Sequence, residues 1–333
     1  MQKKDLGLAV LIIVVGLVVY LRNPLFLSPI NLANTANLIG LFGLFAIGQG
    51  FVIMTGGIDL SVGSMIALLG VLFVELLGKY AVPWPLAMLI VIAAGTLMGL
   101  AHGLLITKLK MQPFVVTLCG LLIYRGVARG YTGEATAGFP FGTTFPEVEW
   151  ITIGRSFGVP HSFIAMLVVG LICWVLLHRS VFGRHLYAVG KNEVAARYSG
   201  IRTDTIVIAA YVICAVLTSI AAIYFAMFTR SVQPSSHGNF YELYAIAAAV
   251  LGGFSLRGGE GSIIGVMLGA LLLQELQNLV NLLGIPSSLN FAVMGAVILA
   301  GVLADQQFTR YRERQRTRAM ELRGAEARSA SSS

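Results

Sequence analysis

Long apolar runs, separated by short clusters of glycine, proline and charge, recur along the chain from Leu6 to Leu303. Each holds roughly 16 to 24 residues, the length that carries a helix across the hydrocarbon core of a bilayer. Splitting the chain at its breakers predicts ten spans, at about 6–21, 35–55, 61–78, 84–107, 113–130, 161–177, 205–228, 243–256, 261–283 and 287–304. The expected fold is an all-α polytopic membrane protein over 1–304. The basic tail, 305–333, mixes Arg with Glu, ends in serines and is expected to start helical and fray into disorder.

An even number of spans places both termini on one side. With the N-terminus inside, Lys3, Lys4, Lys108, Lys110, Arg179, Arg184, Lys191, Arg197, Arg202, Arg257 and the tail arginines face the cytoplasm. Arg22, Lys79, Arg125, Arg129, Arg155 and Arg230 fall outside, so the positive-inside rule favours two cytoplasmic ends. That arrangement makes 131–160, with Phe139, Phe141, Phe145 and Trp150, an external loop that caps a pore, meets an external partner or anchors at the interface. The first span follows Lys3 and Lys4 like a leader, but no small-x-small site precedes Pro24, and a retained helix is expected.

Composition agrees. Of 333 residues, 57% are hydrophobic and 11% charged, against about 25% charged in a soluble domain. The net charge of +8 belongs to loops between spans and to the tail, so it reports topology and no nucleic-acid partner.

No catalytic set is legible. The nearest approach to a phosphate cradle, Gly183 and Gly190-Lys191-Asn192, has the wrong spacing and lacks the metal-binding hydroxyl. The five histidines are scattered without a metal pairing, and Cys119, Cys173 and Cys214 lie in or beside spans without a paired spacing. The chain is expected to be no enzyme and to bind no metal or cofactor itself.

Two interruptions carry more information. Thr55 to Ser64 and Gly252 to Ser262 both contain Gly-Gly-x-polar-Leu, and an apolar helix restarts near a Gly-Ser pair in each. Paired glycines break a helix, and Asp59 and Ser61 are placed to cap its restart. Matching breaks in two related halves are how transporters build a polar interior; the alternative is a tight cytoplasmic turn in which Asp59 only caps. In span nine Gly261, Gly265 and Gly269 share one face and Gln274, Gln277, Asn278 and Asn281 the opposite one, which either lines a wet passage or bonds to neighbouring helices. Gly56, Gly57, Asp59, Ser61 and the four amides are the candidate translocation path. Gly95, Gly99 and Gly103 in span four are read as helix packing, and His102 beside them as a bonded core histidine.

Between spans six and seven, Asn192 to Ser199 predicts a short helix with Asn192 as cap, Glu193 near its start, Arg197 near its end and Gly200 as stop. A short helix held outside the membrane is suited to docking in a partner's cleft.

These stretches resemble the permease subunits of ATP-binding-cassette sugar importers of the ribose, xylose and galactose class. Thr55 to Ser64 is similar to their Gly-Gly-Ile-Asp-Leu-Ser-Val-Gly signature, Pro113 to Leu118 with Arg125-Gly126 to their fifth span, and Gly183 to Ile201 to their coupling loop. Tyr241 to Gly253 resembles the segment after their third external loop. Together they cover about 31–305. The resemblance implies a bacterial inner-membrane permease that moves a monosaccharide or related polyol by alternating access, paired with a second permease, identical or not. A separate cytoplasmic ATPase would use ATP and Mg, and an extracytoplasmic binding protein would deliver the sugar. Gly183, Arg184, Gly190, Asn192, Ala195, Ala196 and Gly200 would then couple to the ATPase. Tyr244 and Arg257 depart from the family pattern. An ion-coupled secondary transporter and a passive facilitator are the other readings.

Overall fold

In the computed structural model, which describes residues 3–284 and isolated positions between 286 and 299, the apolar stretches fold as helices. A backbone in lipid finds no water to bond, so it must satisfy its own N–H and C=O groups. In chain order the helices are α1 (Lys3–Arg22), α2 (Pro29–Met54), α3 (Val62–Gly78), α4 (Trp84–Thr107), α5 (Pro113–Thr132), α6 (Pro146–Ile153), α7 (His161–His178), α8 (Val181–Lys191), α9 (Glu193–Tyr198), α10 (Thr203–Thr229), α11 (Tyr241–Leu251) and α12 (Ile263–Leu282). Among the described residues seven of them, α1, α2, α4, α5, α7, α10 and α12, are long and apolar enough to cross a membrane. The fold is therefore that of a mostly helical polytopic membrane protein. Of the ten expected spans, α3 and α11 are shorter apolar helices, and 287–304 and the tail lie outside the continuously described residues.

The eighth expected span needs correcting. Apolarity continues through Phe254 and Leu256, but the helix stops at Leu251, with Gly252 as its cap and Gly253 at a φ of +89°. Its 11 residues reach only about 16 Å, half the thickness of a hydrocarbon core.

α2 is the most enclosed of the long helices and α10 the next, whereas α1 is mostly uncovered and presents Leu6, Ile13 and Leu21 outward. Its uncovered apolar surface suits lipid, while its other side packs on α12, with Val19 buried and Gly16 against Glu275. α4 lies close against α10 through the predicted glycine face. A Cβ on Gly95 would come 1.9 Å from Ser219 Oγ, one on Gly99 2.7 Å from the Tyr211 carbonyl oxygen, and one on Gly103 2.8 Å from Ile208 Cα. The small residues let two backbones approach.

The segment after α5, expected as an irregular loop over 131–160, carries short pieces of structure. Four two-residue strands, β1 (Ala137–Gly138), β2 (Arg155–Ser156), β3 (Val159–Pro160) and β4 (Ser231–Val232), form two antiparallel pairs, β1 with β4 and β2 with β3. Arg230 clasps this segment: it bonds Glu149 Oε1 at 2.6 Å, donates to the Thr143 carbonyl at 2.5 Å and lies 5.6 Å from the Phe139 ring centre. The Arg230 guanidinium holds the Glu149 carboxyl below its ordinary value of 4.5. A lowered carboxyl pKa means that the clasp contributes in full above that ordinary value and is lost as pH falls through the lower one. Both partners are partly exposed, so the contribution is at most about 1 kcal/mol. Nicking of 139–149 by an acid protease, taken as a ratio to nicking of the same protein denatured at the same pH, should rise in wild type as pH falls below about 4.5, and Arg230→Gln should show the raised ratio already at higher pH; the same ratio in both proteins at every pH would show that the clasp carries no load.

Candidate functional site

The first break starts where α2 ends. Thr55 closes the helix, and Gly56, at a φ of +81° that favours glycine, turns the chain back. Residues 57–61 then run alongside the last turns of α2. Gln49, with its amide turned to suit its neighbours, pairs both backbone groups of Asp59, accepting from its N–H at 3.1 Å and donating to its carbonyl at 3.3 Å. Asp59 is thereby drawn into the bundle, where it is 1% exposed. Its Oδ1 accepts from the Ser61 N–H at 2.8 Å and the Ser61 hydroxyl at 2.6 Å. Ser61 occupies the cap position of α3, but its hydroxyl gives no cap, because it is spent on Asp59. The expected two-residue cap is thus a closed Asp59–Ser61 turn. From α5, Thr117 Oγ1 donates to the Ile58 carbonyl at 3.1 Å.

His102 on α4 reaches the same place. Its Nε2 lies 2.9 Å from the Tyr124 hydroxyl of α5, and its Nδ1 lies 3.7 Å from Asp59 Oδ2. Sequence reasoning read it as a core histidine; that it faces a buried carboxylate was not foreseen, and no local signal reveals it.

A second chain segment meets the first from the opposite direction. A Cβ on Gly63 would lie 2.1 Å from the Gly238 carbonyl oxygen and 2.4 Å from Glu242 Oε2. Arg125 of α5 donates to the Pro234 and His237 carbonyls at 2.8 and 2.6 Å, fixing that segment. Next to it Phe42, Phe45, Phe225, Tyr241 and Tyr244 form an aromatic cluster with ring centres 4.8 to 6.4 Å apart. Tyr244, one of the two departures from the expected pattern, belongs to this cluster; Arg257, the other, is exposed.

The two breaks touch each other. The Gly259 N–H donates to the Met54 carbonyl at 2.9 Å, and a Cβ on Gly258 would lie 2.8 Å from the Gly56 nitrogen. After the second break Ser262 caps α12, accepting from the Gly265 N–H at 3.0 Å. α8 rests on this junction: a Cβ on Gly190 would lie 1.9 Å from the Met54 carbonyl oxygen and 2.4 Å from the Gly259 nitrogen. Tyr187 donates to the Gly261 carbonyl at 2.7 Å, and Lys191 pairs with Glu260. Gly183 packs on the Leu177 carbonyl in the same close manner.

α9 follows as the sequence predicts. Asn192 Oδ1 accepts from the Ala195 N–H at 2.9 Å, Glu193 pairs with Arg197 at 2.7 Å, and Gly200 ends the turn at a φ of +85°. Asp204 gathers Lys108, Lys110 and Arg197 at 2.9, 3.5 and 3.3 Å, which ties the end of α4 to α9 and α10. Of the residues singled out, Ala196 and Gly183 are buried, Gly190 is half-buried, and Arg184, Asn192, Ala195 and Gly200 are exposed. Val194 and Tyr198 stand out on the same short helix, Tyr198 at 89% exposure.

The amides of α12 separate. Asn278 Nδ2 donates to Asn31 Oδ1 at 2.8 Å and also bonds Thr35 Oγ1, so it joins α12 to α2. Gln274 is 2% exposed, and its amide has no hydrogen-bond partner among the described residues where it faces Phe42 and Tyr244 across a narrow crevice. Gln277 is half-buried and Asn281 exposed.

Residues 31–302 match the family described as branched-chain amino acid transport system / permease component. The chain belongs to this permease family. It is accordingly a multi-pass membrane transporter subunit and not an enzyme. Over 303 residues, 91% of each chain, the permease is 41% identical to the ribose import permease protein of Bacillus subtilis. It is 40% identical to that of Escherichia coli, over 92% of this chain and 94% of the relative. The D-allose transport system permease protein of Escherichia coli is 31% identical over 89% of the permease and 90% of its own length. No solved structure matches the chain.

Proposed function

We propose that the protein is the permease of an ATP-driven importer in a bacterial inner membrane and carries a monosaccharide into the cytoplasm by alternating access. The observation that carries this reading is the likeness, along nine-tenths of the chain, to permeases named for ribose import and D-allose transport. The site supports it. α9 offers Val194, Ala195 and Tyr198 to a docking partner, and α8 connects that surface to both helix breaks through Gly190. In this reading a cytoplasmic ATPase binding ATP and Mg docks on 183–201, and both chain termini lie on its side of the membrane. Two permeases, alike or different, enclose the path, and an extracytoplasmic binding protein delivers the sugar. Within this chain the unpartnered Gln274 amide beside the aromatic cluster is the group best suited to meet hydroxyls on that path, whereas Asp59 and Ser61 are closed on each other.

The test is uptake of labelled ribose into proteoliposomes holding the permease with the ATPase and binding protein encoded beside it. Uptake should require ATP and vanish with a hydrolysis-dead ATPase. Uptake sustained by an ion gradient or by the sugar gradient alone would overturn the reading.

A further inference from the structure

Asp59 and His102 are both shut off from solvent, with side chains 1% and 3% exposed. Asp59 Oδ1 is fully engaged by Ser61, whereas Oδ2 has no hydrogen-bond partner among the described residues. His102 presents the complementary pattern: Nε2 is engaged by the Tyr124 hydroxyl, and Nδ1 has no such partner. These two unengaged atoms face one another at 3.7 Å. A carboxylate only accepts, so the pairing calls for a proton on Nδ1 aimed at Oδ2, whichever of Nε2 and the Tyr124 hydroxyl donates in the other bond.

The imidazole is enclosed by three elements, α5, α10 and the break. A Cβ on Gly120 of α5 would lie 2.6 Å from its Nε2. The Tyr211 ring of α10 stands edge-on to it with centres 6.4 Å apart, and the Tyr211 hydroxyl would lie 2.5 Å from a Cβ on Gly57 in the break. Tyr211 thus lies between the break and the edge of the imidazole. The near end of the same break is held by α8 at Gly190.

We propose that His102 is a positioning residue for transport: by facing Asp59 it fixes the α2–α3 break against α4 and α5, so that movement delivered through Gly190 reaches those helices. This rests on the reading of the chain as an ATP-driven importer permease. A buried carboxylate oxygen needs a donor, and His102 stands where the donor to Oδ2 must be.

The two imidazole nitrogens can be tested separately, because an asparagine amide nitrogen overlays Nδ1 and a glutamine amide nitrogen overlays Nε2. The experiment measures sugar taken up per ATP hydrolysed, normalised to assembled complex, for wild type, His102→Asn, His102→Gln, Tyr124→Phe, Asp59→Asn and the Asp59→Asn/His102→Gln pair. His102→Asn and Tyr124→Phe should stay within about threefold of wild type, and His102→Gln should fall about tenfold or more. The paired variant should be no worse than the poorer single one, since both remove one interaction. Equal losses in His102→Asn and His102→Gln, a Tyr124→Phe loss as large as that of His102→Gln, or losses that multiply in the pair would overturn the proposal. Wild-type complex that takes up sugar without ATP would instead overturn the functional reading beneath it.

Discussion

Gly190→Val is expected to abolish uptake while the ATPase still copurifies with the permease. The side chain would have to enter a space already held by backbone: the Met54 carbonyl oxygen 1.9 Å and the Gly259 nitrogen 2.4 Å from the Cβ position. Backbone atoms have no rotamers by which to move aside, so α8 must lift from the junction and the Gly259 to Met54 hydrogen bond must open. Overpacking of this kind costs about 1–3 kcal/mol or more, and the lost bond about another 1 kcal/mol. The exposed face of α9 is untouched, because Asn192 still caps it and Gly200 still ends it. Docking and transport should therefore separate. The control is Gly126→Ala, where nothing lies within 4 Å of the new Cβ. Normal uptake by Gly190→Val would mean that α8 and the breaks move independently.

Gly99→Leu is expected to act on the fold itself. Its Cβ would lie 2.6 Å from that of Ala215 and 2.7 Å from the Tyr211 carbonyl oxygen. These atoms belong to α10, the second most enclosed of the long helices. The only escape is to separate α4 from α10, which undoes the close contact at Gly95 and Gly103 together. With several helical turns of packing at stake, a loss of about 3 kcal/mol or more is expected. Detergent-solubilised protein should show a sharply lower melting temperature and reduced membrane abundance. Gly126→Leu, with open space around it, should match wild type; equal melting of the two variants would remove the α4–α10 contact from the account.

The parts of this architecture that were legible in the sequence are those specified by neighbouring residues. The long helices follow from apolar length, α9 from an Asn192 cap and a Gly200 stop, and the breaks from their glycine pairs. Span eight was placed too far along because Phe254 and Leu256 are apolar, whereas the helix end is fixed by backbone conformation at Gly253. Ser61 has the chemistry of a cap, but a carboxylate two residues before it competes for the hydroxyl. Partnerships between distant residues left no mark. A histidine among glycines does not announce that it faces Asp59, nor does Asn278 announce Asn31 and Thr35. The resemblance assigns Gly190 to the coupling loop; that two helix breaks converge beneath it is a property of the folded chain alone.

The bond from the Gly259 N–H to the Met54 carbonyl has a consequence for biosynthesis. Met54 belongs to the last turn of α2, whose carbonyls have no partner within their own helix. One of them receives its donor from a residue made much later, after α10 and α11 have emerged. Until then the central helix is an unfinished object, inserted but open at one end. In a nascent chain arrested before Gly259 the Met54 carbonyl lacks this donor, and synthesis of the second break supplies it.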